Sequence, residues 1–226
     1  MSTTLRLKFG RLGPVKYLGH LDMMRYFQKA IQRAEVDIRY SEGFNPHQIM
    51  SFAYPLGVSM ETEGDYLDID VLSYVSCDDL KNDLNKVMKE GIYIEAVSVV
   101  PEGADAAMAA VAAADYRVVI KNDDRITNGD IKDFLAKDEI MVLKEGKKKT
   151  ALCNIKEGIL ELKLLDNNVI LMKLASGSVM NVKPTQVLAA LSEFCGSSFA
   201  AESISRLEIY KNIEGKFYPL GDFSHS

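Results

Sequence analysis

Residues 5–34, LRLKFGRLGPVKYLGHLDMMRYFQKAIQRA, change their hydrophobic period once, and that change decides the fold class. In Leu5-Arg6-Leu7-Lys8-Phe9 apolar residues alternate with basic ones, the period of a strand with one buried face. Gly10, Gly13 and Pro14 mark a turn, after which Val15–Leu18 is expected to extend the strand or pair with it. From His20 to Glu35 the period becomes helical: Met23, Met24, Phe27, Ala30, Ile31 and Ala34 recur at three and four residues. A strand that feeds an amphipathic helix is the opening of an α+β fold.

Working outward, Ser41–Pro46 is a Gly/Asn/Pro-rich loop, and a strand over Gln48–Ala53 is broken by Pro55 and Gly57. Tyr66–Val71 alternates again, with Leu67, Ile69 and Val71 opposed to Tyr66, Asp68 and Asp70. Cys77-Asp78-Asp79 opens a second helix, capped by Asp78 or Asp79, with Leu80, Leu84, Val87 and Met88 as its apolar stripe. Ile92–Val100 is a strand. The order β-α-β-β-α-β is the split βαβ arrangement called ferredoxin-like, here assigned to residues 1–101.

The Ala-rich residues 102–114 read as a linker or a short helix. Residues 115–226 then give a strand (Tyr116–Ile120), a helix around Asp130–Ala136, a strand (Ile140–Leu143) and a charged turn at Lys147-Lys148-Lys149. Strands at Ala151–Ile155, Ile159–Leu165 and Val169–Leu174 follow, the last two joined by a hairpin at Asp166-Asn167-Asn168. Pro184 opens a helix that runs to Phe194, and Ile204–Tyr210 is a last strand. The expectation is two tandem ferredoxin-like domains with antiparallel sheets, the second a decorated copy of the first by element order alone.

Hydrophobic residues make up 47% of the 226 and charged residues 26%, enough for one or two cores without a staple or a structural metal. Cys77, Cys153 and Cys195 are odd in number and far apart, so they form neither a disulfide framework nor a zinc or iron–sulfur ligand set. No apolar run is long enough to span a membrane and no apolar signal region opens the chain, so a soluble protein of the reducing cytoplasm is expected. The net charge of −5 hides a gradient: residues 1–50 hold eight Lys/Arg against four Asp/Glu, residues 51–100 three against ten. Such asymmetry can leave a positive face on an acidic protein.

Two patterns carry the functional reading. Arg25, Lys29 and Arg33 lie at i, i+4 and i+8 on the polar side of the first helix and form a basic stripe, supported by Arg6, Lys8, Lys16 and Arg39. Such a stripe grips phosphates, or it is simply a solvated face. The loop Ser41-Glu42-Gly43-Phe44-Asn45-Pro46-His47 places an aromatic and a histidine between backbone constraints, which suits recognition. Phe44 would stack on a base, with Asn45 and His47 as polar contacts. His20 and His47 are the candidates for a general acid and base, and His20 with Asp22 for a metal pair; the alternative is that both histidines shape local turns. The chain contains no phosphate-cradling glycine motif, no nucleophile elbow and no HExxH.

Lys16-Tyr17-Leu18-Gly19-His20-Leu21-Asp22 with Arg25 and Gln32-Arg33-Ala34 resembles the radical-SAM-linked family of bacterial proteins. So do Tyr40–His47, Ser51-Phe52-Ala53, Pro55-Leu56-Gly57-Val58 and Gly64-Asp65-Tyr66-Leu67-Asp68. The chain departs from the family pattern at Gly19, where Ser is usual, and at Gln48, where a further Pro is usual. The resemblance implies an accessory or substrate-presenting role beside a radical SAM protein encoded separately, whose three-cysteine cluster motif this chain lacks. The reading that results is a non-catalytic binding module without a cofactor of its own. It would work with a radical SAM protein in trans and contact RNA or another anionic substrate through Asp22, Arg25, Lys29, Arg33, Phe44, Asn45 and His47. The rivals are a metal-independent endoribonuclease that uses His20 or His47, and a scaffold whose acidic residues 61–70 dock a basic protein.

Overall fold

A computed structural model describes residues 2–121, 126–145, 150–166, 168–177 and 179–225. The protein is a mixed α+β structure with mostly antiparallel strand pairing. The chain divides into two compact units: Met1–Ala112 with Arg206–Ser226, and Ala113–Ser205. Residues 206–226, expected in the second domain, group by their contacts with the first unit.

In the first unit β1 (Thr3–Arg11) is followed by α1 (His20–Arg33), β2 (Met50–Phe52), β3 (Glu61–Val71), α2 (Cys77–Val87) and β4 (Ile92–Val99). β1 lies between β4 and β3, with Leu7 opposite Val97 and Leu67. β2 pairs with β3 only over Leu67–Ile69, and residues 206–213 of β10 (Ala201–Ile213) lie beside the rest of that edge. β11 (Lys216–Pro219) then pairs with β10. Leu5, Leu7 and Phe9 from β1 meet Met23, Phe27 and Ile31 from α1, Leu80 and Leu84 from α2, and Leu67 and Ile69 from β3 in one core. Phe27 stands edge-on to both Phe9, at 4.9 Å, and Phe52, at 5.5 Å.

Two local expectations are corrected. Gly13–Tyr17 is a 3-10 turn, not a strand, because Gly13 takes φ of +68° and Pro14 can donate no ladder hydrogen bond. The α2 cap is Ser76, whose Oγ accepts from the Asp79 backbone N–H at 3.0 Å while Asp79 accepts back from the hydroxyl. The Ala-rich segment contributes a four-residue helix, α3 (Ala107–Ala110), to the first unit, and its last residues start β5 (Ala113–Ile120).

The second unit continues from β5 through α4 (Asn128–Leu135), β6 (Met141–Glu145), β7 (Thr150–Asn154), β8 (Ile159–Asp166), β9 (Val169–Ala175) and α5 (Pro184–Cys195) to the start of β10. Its sheet has the order β5-β9-β8, with Met172 opposite both Tyr116 and Leu162. The Lys121 N–H donates to Ala200 O beside β5. β6 and β7 form a separate hairpin. Thr127 and Asp130 close a capping box on α4, and Gly196 ends α5 in the left-handed region at φ +61°. Lys147-Lys148-Lys149 and Asn167 of the expected turns lie outside the described residues. No helix among the described residues is long and apolar enough to cross a membrane.

Candidate functional site

The polar side of α1 carries the basic stripe, and its three cations have different surroundings. Arg25 lies 3.7 Å from Asp22, both well exposed, so the pair is weak and open to exchange. Arg33 donates to Val87 O at 3.2 Å, where a cation meets the carbonyl end of α2. Lys29 is exposed. The supporting cations are committed elsewhere. Arg6 is 2% exposed and bidentate to Asp68, Lys8 bridges Glu95 and Glu208, and Lys16 meets Glu61. Arg39 reaches Ser2 and Asp70. Free positive charge is thereby concentrated at Arg25 and Lys29.

Beside this face stands the 41–47 loop, held from below by a short ladder. Arg39 N–H donates to Asp70 O at 2.8 Å, Ile49 N–H to Arg39 O at 2.9 Å, and Ser41 N–H to His47 O at 2.8 Å. Ser41 Oγ accepts from the His47 N–H at 3.1 Å and sits 2.8 Å from His47 Nδ1. Gly43 supplies φ of +111°, which a side chain would strain. Buried Gln48 ties the loop to the helix by donating to Gln28 O at 3.2 Å. The Tyr40 phenol interacts with the Gln48 and Gln32 side chains, which draw its pKa below the usual value. At the tip Phe44 is 105% exposed, as free of protein contact as in an open chain.

The two histidines are not brought together. His47 belongs to the loop and precedes Gln48, which donates to Gln28 O. His20 starts α1 and lies edge-on to Phe52 at 5.3 Å. Eight helical residues separate His20 from the loop's anchor, about 12 Å along the axis. A joint acid–base pair therefore has no geometric basis here. Asp22 is used by Arg25, and no cluster of three metal-ligating side chains forms among the described residues.

His20 instead lines a cavity of about 20 Å³ that sequence reading missed, together with Phe9, Arg11, Met23, Phe52, Tyr54, Pro55, Leu56 and Asp65. Arg11 is 3% exposed and donates to Leu18 O, Gly57 O and Met60 O at 2.8–3.0 Å, which gathers three chain segments. Its Nε is buried without an acceptor. Burial lowers the Arg11 pKa, Asp65 opposes that shift and Arg206 adds to it. Asp65 takes Arg206 Nε at 2.6 Å and the Thr62 hydroxyl at 2.8 Å. Residues from the stretches 16–22, 52–58 and 64–68 all reach this one place.

The acidic residues 61–70 are largely spent inside the fold. Glu61 meets Lys16 and the Gly13 N–H, Asp65 meets Arg206, Asp68 meets Arg6, and Asp70 meets Thr4.

A family model described as "Uncharacterized protein conserved in bacteria (DUF2344)" matches residues 4–184. The chain belongs to that family. The match takes in α1, the 41–47 loop and the cavity, so the site described above lies within the DUF2344 region. No curated protein matches the chain. Among solved structures it is similar to a crystal structure of a Cbf5-Nop10-Gar1 complex, at 7% identity and a TM-score of 0.52, over 93% of this chain and 50% of that one. The chain thus spans about half the length of that relative, and the likeness is one of fold. A crystal structure of an unknown protein from Galdieria sulphuraria also matches, at 12% identity and a TM-score of 0.29, over 89% of this chain and 98% of that one.

Proposed function

We propose that this DUF2344 protein is a non-catalytic binding module of the cytoplasm that works with a radical SAM protein in trans and contacts single-stranded RNA. The observation that carries the reading is Phe44: a wholly exposed aromatic at the tip of a loop that its own hydrogen bonds and Gly43 hold in shape. An exposed phenyl ring contributes nothing to the core, whereas a base stacked on it gains about 1–3 kcal/mol. Arg25 and Lys29 supply the phosphate contacts, Asn45 and His47 the polar ones, and Asp22 and Arg33 border the surface.

In the same reading the two units are ferredoxin-like. The first has the element order β-α-β-β-α-β, with β4-β1-β3 as neighbours and β2 on β3. In the second, β5, α4, β8, β9, α5 and the start of β10 follow that order, with the β6–β7 hairpin inserted. The partner rests on the motif resemblance. The reading is tested by purifying the protein at low salt, extracting any bound nucleic acid, and repeating with Arg25→Ala/Lys29→Ala. RNA that accompanies the wild type and not the variant supports it; protein that emerges free of nucleic acid and retains a radical SAM partner contradicts the RNA contact.

A further inference from the structure

A second cavity, in the first unit, is lined by a lysine that has no acid partner. It measures about 340 Å³ and is bounded by Arg6 of β1, residues 103–105, the end of β10 and the segment after β11. Lys211 of β10 lines it, half-buried, and makes no hydrogen bond or ion pair among the described residues. Its ammonium lies over the Phe223 ring, 5.0 Å from the centre. Arg6 stands 5.2 Å from the same ring, but its charge is already taken by Asp68. Asp222 is near enough to act on Lys211 without pairing with it, since its Oδ1 accepts from the Ser224 N–H and hydroxyl at 2.9 and 2.6 Å. Burial lowers the Lys211 pKa; Asp222 opposes the shift and Arg6 adds to it.

We propose that this cavity binds the anionic head, phosphate or carboxylate, of a small ligand with an apolar body. A cation partly stripped of water and left without a counter-charge gains more from an anion than a fully solvated lysine does, because less water is removed and the attraction is less screened. In the free protein the aromatic face of Phe223 steadies the ammonium in its place. A cationic ligand would meet like charge, and a neutral one would leave the ammonium unpaired. The carboxylate in the lining is that of Asp105, an exposed residue whose charge water and salt screen. Ala110, Ile213 and Phe223 supply apolar wall for the body of the ligand. The volume suits a small molecule, for which pockets start at about 300 Å³.

The site uses neither α1 nor the 41–47 loop, so it stands or falls apart from the RNA reading. The test follows lysine resonances of the full chain by NMR after reductive methylation with a carbon-13 label, Lys211 being assigned by its loss in Lys211→Gln. Phenyl phosphate, benzoate and neutral benzyl alcohol are added in turn, with sodium chloride at matched ionic strength as the control. A saturable shift of Lys211 is expected with phenyl phosphate or benzoate, and none with benzyl alcohol or chloride. Whichever anion responds identifies the head group as phosphate or carboxylate. Ligand-observed NMR on Lys211→Gln should show the same anion bound on the order of tenfold more weakly, as the loss of one charged contact implies. No saturable shift with either anion, or a shift that chloride reproduces, overturns the proposal. So does undiminished binding of the anion to Lys211→Gln.

Discussion

Arg206 Nε donates to Asp65 Oδ1 at 2.6 Å, and the two side chains, 141 residues apart in sequence, are both buried. Arg206 also donates to Tyr54 O at 2.6 Å and lies over the Tyr54 ring. This pair fixes the last segment of the chain to the motif strand β3. Removing one partner leaves the other charge buried, so Asp65→Asn is expected to lower stability by about 3–5 kcal/mol in urea denaturation. The double variant Asp65→Leu/Arg206→Met is expected to lose less than Asp65→Asn alone, because no charge is left stranded.

Gly64 offers a second test of the same contact. A Cβ built there falls 2.3 Å from Leu207 O, a backbone atom with little room to move. At Gly10 the clash is with the Tyr93 ring at 2.2 Å, the far end of a side chain that can swing away. Gly64→Ala is therefore expected to cost about 1–3 kcal/mol or more, and Gly10→Ala clearly less, when their thermal midpoints are compared.

The fold was legible where burial is periodic, and illegible where partners are distant. The shift from alternation in Leu5–Phe9 to three-and-four spacing in Met23–Ala34 locates β1 and α1 because one face of each enters the same core. Nothing near residues 206–213 announces that this strand lies beside β3, since Arg206, Glu208 and Leu207 find their partners at Asp65, Tyr66 and Gly64 only after folding. For the same reason nothing local announces that Arg6, expected to support the basic stripe, is bidentate to Asp68 and donates to Leu220 O and Asp105 O. Phe44 and the α1 stripe could be singled out from local pattern, because loop chemistry and helical spacing are local. The Arg11 cavity could not, because it is assembled through backbone carbonyls, whose positions no residue type encodes.

Tyr66 gives a pH dependence. Burial, and then Glu208, which accepts the phenol hydrogen bond at 2.7 Å, raise its pKa far above that of a free tyrosine. Above about pH 10 the unfolded chain releases this proton and the folded chain retains it, so stability falls as pH rises, by up to about 1.4 kcal/mol per unit for one proton. Lys8 acts in the same direction: burial pulls its pKa down, Glu208 and Glu95 outweigh that, and the net shift is upward. Tyr66→Phe is expected to flatten the fall in urea midpoint between pH 9 and pH 11.

Arg25 and Lys29 are expected to act on binding through phosphate charge. Their joint replacement by Ala should reduce the slope of log affinity against log salt for single-stranded RNA by about 1.4, or 0.7 for each lost contact, in titrations across salt concentrations. Stability should change by less than about 0.5 kcal/mol, since both side chains are exposed.

The most direct test of the central claim is the affinity of single-stranded RNA for the wild type and for Phe44→Ala, measured by fluorescence anisotropy at fixed salt. A stacked base predicts a loss of about 5- to 150-fold in Phe44→Ala, with the urea midpoint unchanged because the ring touches nothing in the fold. Equal affinity of the two proteins, or no RNA binding by the wild type, would contradict the account.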